Sequence, residues 1–168
     1  MGYDFNADEI FQIAEQIEVN GENFYRQMAD HIADKDIRKL FLDFAAMEVG
    51  HQKVFASMKA ALSDKEREPT VFDPEGEAAL YLQALADLRV FGEEAEGPFT
   101  LPEGLNEKER LKKIFWAAAG REKESIVFYT GMKEMVGENL GSDKIDDIIH
   151  EEMTHLRILS NKIAALKG

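Results

Sequence analysis

The sequence predicts an all-α protein: an antiparallel four-helix bundle whose two helical hairpins are joined by a long crossover connection containing a short extra helix. Three observations carry this. All four prolines, Pro69, Pro74, Pro98 and Pro102, fall between residues 69 and 102, leaving 1–68 and 103–168 free of proline. Helices can run unbroken through such stretches, and in both of them apolar residues recur at steps of three and four. The chain also matches itself, without a gap, at an offset of 104 residues.

The first helix is expected over 7–31, where Ile10, Ala14, Ile17, Gly21, Phe24 and Met28 keep a helical rhythm. Ala33-Asp34-Lys35-Asp36 is a short polar break with Asp available as an N-cap. The second helix, 35–62, carries Ile37, Phe41, Phe44, Glu48, His51, Phe55, Met58 and Leu62 on one stripe. The third, 105–136, is lined by Leu111, Ile114, Phe115, Ala118, Glu122, Phe128, Tyr129, Met132 and Val136. Gly137 is expected to stop it, and Gly141 with Ser142 to cap the fourth helix, 143–167, which carries Ile145, Ile148, Glu152, His155, Leu159, Ile163 and Leu166. The hairpins are therefore 7–62 and 105–167. The connection 63–104 holds one amphipathic segment, 75–91, with Tyr81, Leu85 and Leu88 on its apolar side. A connection this long can return along the length of a bundle. The 168 residues are read as a single domain, 1–168.

Composition narrows the function. A net charge of −13 argues against nucleic acid or an anionic membrane as partner. The chain has no cysteine, which excludes Cys-ligated zinc, iron–sulfur clusters and a cysteine nucleophile within it. The first ten residues, MGYDFNADEI, lack the basic and apolar regions of a signal peptide, and no run of 18 apolar residues occurs. A cytoplasmic protein is expected.

The repeat carries the chemistry. At the offset of 104, Phe11 falls on Phe115, Glu18 on Glu122, Phe24-Tyr25 on Phe128-Tyr129, Glu48 on Glu152 and His51 on His155. Each half thus reads Glu, a Tyr seven residues on, and Glu-x-x-His beginning 30 residues after the first Glu. Glu-x-x-His alone is a weak signal; the compound pattern written twice is a strong one. In an antiparallel hairpin, residues equidistant from the turn lie at one height. The midpoint of Glu18 and Glu48 is position 33, and that of Glu122 and Glu152 is position 137, both in predicted turns. Each carboxylate then lies about 22 Å from its turn. The histidine three residues beyond the second Glu shares its face. All six side chains sit on apolar stripes and point into the core. Four buried carboxylates repel one another and are costly unless neutralised, and two divalent cations balance their four negative charges. Mixed carboxylate and imidazole donors suit iron or manganese. One Glu from each of two helices with Glu-x-x-His from the other two is a di-iron arrangement, with metals expected about 3.5–4 Å apart.

On these residues the chain resembles the rubrerythrin family of ferritin-like di-iron carboxylate proteins, over both hairpins. The resemblance implies a ferritin-like fold and two iron ions, with manganese or zinc as substitutes. It implies Glu18 and Glu122 as terminal ligands, Glu48 and Glu152 as bridges, and His51 and His155 as one ligand to each metal. Tyr25 and Tyr129 would each bond a ligand carboxylate of the other half. The implied activity is reduction of hydrogen peroxide or dioxygen with electrons from an external protein such as a rubredoxin; ferroxidase activity and iron handling form the alternative. Two features depart from the family pattern. There is no four-cysteine rubredoxin module, and Ser125 stands where many rubrerythrins carry an extra Glu. Related ferritin-like proteins commonly pair, so a two-fold homodimer is expected.

Other candidates receive blander readings. His31 and His150 lie off the repeat and are expected at the surface. Glu22, whose repeat mate is Ile126, and Glu124, Glu151 and the run Glu93-Glu94-Ala95-Glu96 are expected in solvent. Met28, Met47, Met58 and Met132 are expected as core filler.

Overall fold

Asn6 opens the first helix. Its side chain accepts from the Glu9 N–H, while the Glu9 carboxylate accepts from the Asn6 N–H. This reciprocal box satisfies two backbone donors that the helix itself cannot. The helix, α1, spans Ala7–Asp30. Asp34 then accepts from the N–H groups of Asp36 and Ile37 and starts α2, Lys35–Ala60. A second box, Asn106 with Glu109, starts α3, Glu107–Met135. A 3-10 turn at Glu138–Leu140 leads into α4, Ser142–Ala165. The computed structural model describes residues 6–66, 80, 84, 99–136 and 138–167, and these helices are its long elements.

The boundaries differ from the sequence expectation in ways that caps explain. α3 begins at Glu107 rather than 105 because Asn106 is the cap. α2 ends at Ala60 rather than 62. At the start of α4 the cap is Gly141 alone, with no side-chain bond, and Ser142 is already helical. Gly141 takes φ +93, and a Cβ there would stand 3.2 Å from Met58 Cε, so both backbone and space call for glycine. Gly137, the acidic run 93–96 and the expected helix 75–91, apart from Leu80 and Ala84, lie outside the described residues.

α1 packs along α2 and α3 along α4, while α1 also meets α3 and α2 meets α4. Two apolar layers result. One gathers Ile10, Phe11, Ala14, Phe55, Met58, Phe128, Met132 and Ile145. The other gathers Phe24, Met28, Phe41, Phe44, Leu111, Phe115, Leu159 and Ile163. The first holds the turn of the second hairpin and the open end of the first; the second holds the converse. The hairpins therefore lie head to tail. The ligand positions, halfway along each helix, fall between the two layers. No helix among the described residues is long and apolar enough to cross a membrane.

Candidate metal centre

α1 supplies Glu18, α2 Glu48 and His51, α3 Glu122, and α4 Glu152 and His155. All six side chains meet between the apolar layers, none more than 5% exposed. They form two groups, Glu18–Glu48–His51–Glu152 and Glu48–Glu122–Glu152–His155, and within each group one ligand atom per residue lies within 4.8 Å of the others. Glu48 and Glu152 belong to both groups. Glu152 turns one oxygen to each histidine: Oε1 is 3.0 Å from His51 Nδ1 and Oε2 is 3.0 Å from His155 Nδ1. Glu18 Oε2 stands 3.5 Å from His51 Nδ1, and Glu122 Oε1 stands 3.7 Å from His155 Nδ1.

The two tyrosines cross between halves. The Tyr25 hydroxyl donates to Glu122, and the Tyr129 hydroxyl donates to Glu18. Both rings are fully buried; Tyr25 packs edge-on against Phe24, Phe41 and Phe44. Glu48 owes its place to a missing side chain. A Cβ on Gly21 would come within 3.1 Å of the Glu48 carboxylate. Gly21→Ala is therefore expected to act in opposite senses. Alanine favours a helix interior by about 1 kcal/mol, so the metal-free protein should be at least as stable. Displacing the Glu48 carboxylate should weaken zinc binding by about tenfold. Paired melting and binding measurements check this; unchanged affinity would contradict it.

Electrostatics mark the cluster as built for positive charge. Burial pushes the Glu122 carboxyl up to about 8, aided by the charge of Glu152. Burial also raises Glu48, with Glu18 adding to it. Burial alone would lower both histidines, but Glu152 and Glu18 push His51 up to about 11, and Glu122 and Glu152 push His155 up to about 9. Glu152 goes the other way: burial opposes its charge, yet the adjoining imidazoles of His155 and His51 hold it well below the usual carboxylate range. Burial, then Glu122 and Glu18 respectively, hold the Tyr25 and Tyr129 phenols far above their ordinary value, so they stay protonated donors. Glu18 Oε2, His51 Nδ1 and Glu152 Oε1 are buried with no hydrogen-bond partner. Buried polar atoms are normally paired. An orphaned imidazole nitrogen flanked by two orphaned carboxylate oxygens, with four carboxylates in the set, fits a pair of divalent cations.

Two residues expected elsewhere touch this cluster. Glu151 reaches across from α4, its Oε2 2.9 Å from His51 Nε2. Met47 is not core filler: it is 37% exposed, and its Sδ lies 3.2 Å from His155 Nε2. Met28, Met58 and Met132 are buried in the apolar layers. Ser125 is buried within α3. His31 ends α1 at the surface, and His150 is exposed with Nδ1 2.7 Å from the Asp146 carbonyl. Glu22 pairs with Arg26 at 2.7 Å, away from the cluster.

Comparison with known proteins agrees with this layout. The Rubrerythrin family profile matches residues 9–96, which include Glu18, Tyr25, Glu48 and His51. A crystal structure from Thermotoga maritima, of a protein described as ferritin-like and diiron-carboxylate, is similar with a TM-score of 0.66. It is 24% identical, over 95% of each chain. No curated protein sequence matches the chain.

Proposed function

The chain belongs to the rubrerythrin family, and from that membership we propose that it is a non-haem di-iron oxidoreductase, reducing hydrogen peroxide or dioxygen with electrons from an external donor such as a rubredoxin. The observation that supports this is the sharing of Glu48 and Glu152 by two buried carboxylate–imidazole groups. Glu18, Glu48, His51 and Glu152 would hold one iron, and Glu48, Glu122, Glu152 and His155 the other. A bound iron pair supplies Lewis acidity and two electrons, enough to convert one hydrogen peroxide and two protons into two waters.

The chain's own residues set the conditions. Glu48 and Glu152, common to both groups, would hold both metals, and the Tyr129 and Tyr25 hydroxyls fix the carboxylates of Glu18 and Glu122. The apolar layers on either side keep bulk water from the carboxylates. A cleft of about 610 Å³ between α2 and α4, lined in part by Met47, Gly50, His51, Ser57 and Glu151, gives a small oxidant a way to His51. A cytoplasmic setting with reduced donors, and assembly as a homodimer, accompany this reading.

The test is anaerobic loading with Fe(II), followed by separate mixing with peroxide and with dioxygen in the presence of reduced rubredoxin. Donor-dependent consumption of one oxidant, with iron constant at about two atoms per chain, is expected. Accumulation of many iron atoms per chain without donor-dependent turnover would instead favour ferroxidase and iron handling.

A further inference from the structure

The offset of 104 that maps Glu48 onto Glu152 also maps Met47 onto Glu151. Each precedes a Glu-x-x-His motif, and each reaches across to the histidine of the other hairpin. The geometry is symmetric but the chemistry is not. His51 Nε2 meets a carboxylate oxygen at 2.9 Å, whereas His155 Nε2 meets a thioether sulfur at 3.2 Å. Ionised carboxylates accept strongly, thioethers weakly. The surroundings differ as well. Phe44 stacks on His155 with centroids 4.2 Å apart. Its repeat mate, Ile148, lines the α2–α4 cleft together with His51.

We propose that the two metal positions are inequivalent, and that Glu151 makes the Glu18–His51 position the tighter one, filled first. This rests on the metal-centre reading above. By accepting the Nε2–H, Glu151 fixes the His51 tautomer and ring, leaving the Nδ1 lone pair turned towards Glu18, Glu48 and Glu152. It also makes that lone pair more basic. Met47 gives His155 no added negative charge and a weak anchor. Glu48 and Glu152 serve both positions, and Glu18 and Glu122 have matching tyrosine donors. The groups around the two histidines, Glu151 against Met47 at Nε2 and Phe44 stacked on His155, therefore distinguish the positions.

Calorimetric titration with zinc alone tests this. The native chain should take up two ions in distinct steps. Glu151→Met, at a half-exposed side chain, should weaken the first step by about 10–100-fold. Glu151→Gln, whose amide oxygen still accepts, should regain most of that loss, which a merely structural role would not predict. Glu18→Ala should weaken the first step and Glu122→Ala should spare it. An unchanged first step in Glu151→Met, or a first step weakened as much by Glu122→Ala as by Glu18→Ala, overturns the inequivalence while leaving the metal centre standing. A native chain that takes up no zinc overturns both.

Discussion

Loading the protein with two equivalents of a divalent metal raises its melting temperature by about 10 °C or more over the chelated protein. A ligand at a hundred times its dissociation constant stabilises a fold by about 2.7 kcal/mol per site. For a chain of this length each kcal/mol moves the midpoint by about 2–4 °C. Two sites that bind only the folded chain therefore give a large shift. Glu48→Ala removes a carboxylate common to both groups, so it should abolish most of the shift. His31→Ala, at the surface end of α1, should leave it intact. Calorimetry on the three proteins, with and without chelator, checks this. Equal melting temperatures with and without metal in the native chain would mean that the cluster is vestigial.

The second large effect is a pH dependence whose sign depends on metal. In the metal-free protein, Glu122 is raised from 4.5 to about 8, His51 from 6.5 to about 11 and His155 from 6.5 to about 9. Each binds a proton more tightly folded than unfolded. The stability contributed by the Glu122 proton is fully present below pH about 4.5, and that of the histidine protons below about 6.5. Each is lost as pH rises through the folded value. Glu152 is lowered, so its contribution is lost only in acid. The chelated protein should therefore melt at a lower temperature at pH 9 than at pH 6.5. Metal binding displaces those same protons and strengthens as pH rises. The gap between loaded and chelated melting temperatures should widen over this range. A chelated midpoint that is flat or rising from pH 6.5 to 9 would contradict the proton count assigned to the cluster.

The convergence of the six Glu and His side chains was legible because the chain writes them twice. Glu18 with Glu122, Glu48 with Glu152, and His51 with His155 each lie on an apolar stripe, and helical spacing alone brings them to one height. The repeat also singled out Tyr25 and Tyr129, while their bonds to carboxylates of the other half were implied by the family resemblance. Met47 and Glu151 were not. Glu151, immediately before Glu152, lies about 100° around its own helix, off the buried stripe, and so reads as surface, while Met47, being apolar, reads as core filler. What brings each to the site is the neighbouring helix, through a histidine of the other hairpin. The repeat did pair positions 47 and 151, but their side chains differ in type, so the pairing left no visible mark. The ends of α1 and α3 depend on Asn6 and Asn106, whose Asn-x-x-Glu boxes are sequence signals that apolar periodicity passes over.

The central claim is that six buried side chains converge on a dinuclear metal site. Anomalous diffraction at the iron edge, from crystals grown of the anaerobically loaded protein, tests it most directly. The account predicts two peaks between Glu48 and Glu152, about 3.5–4 Å apart, one beside Glu18 and His51 and the other beside Glu122 and His155. Iron found only at surface carboxylates, with no peak between Glu48 and Glu152, would contradict it.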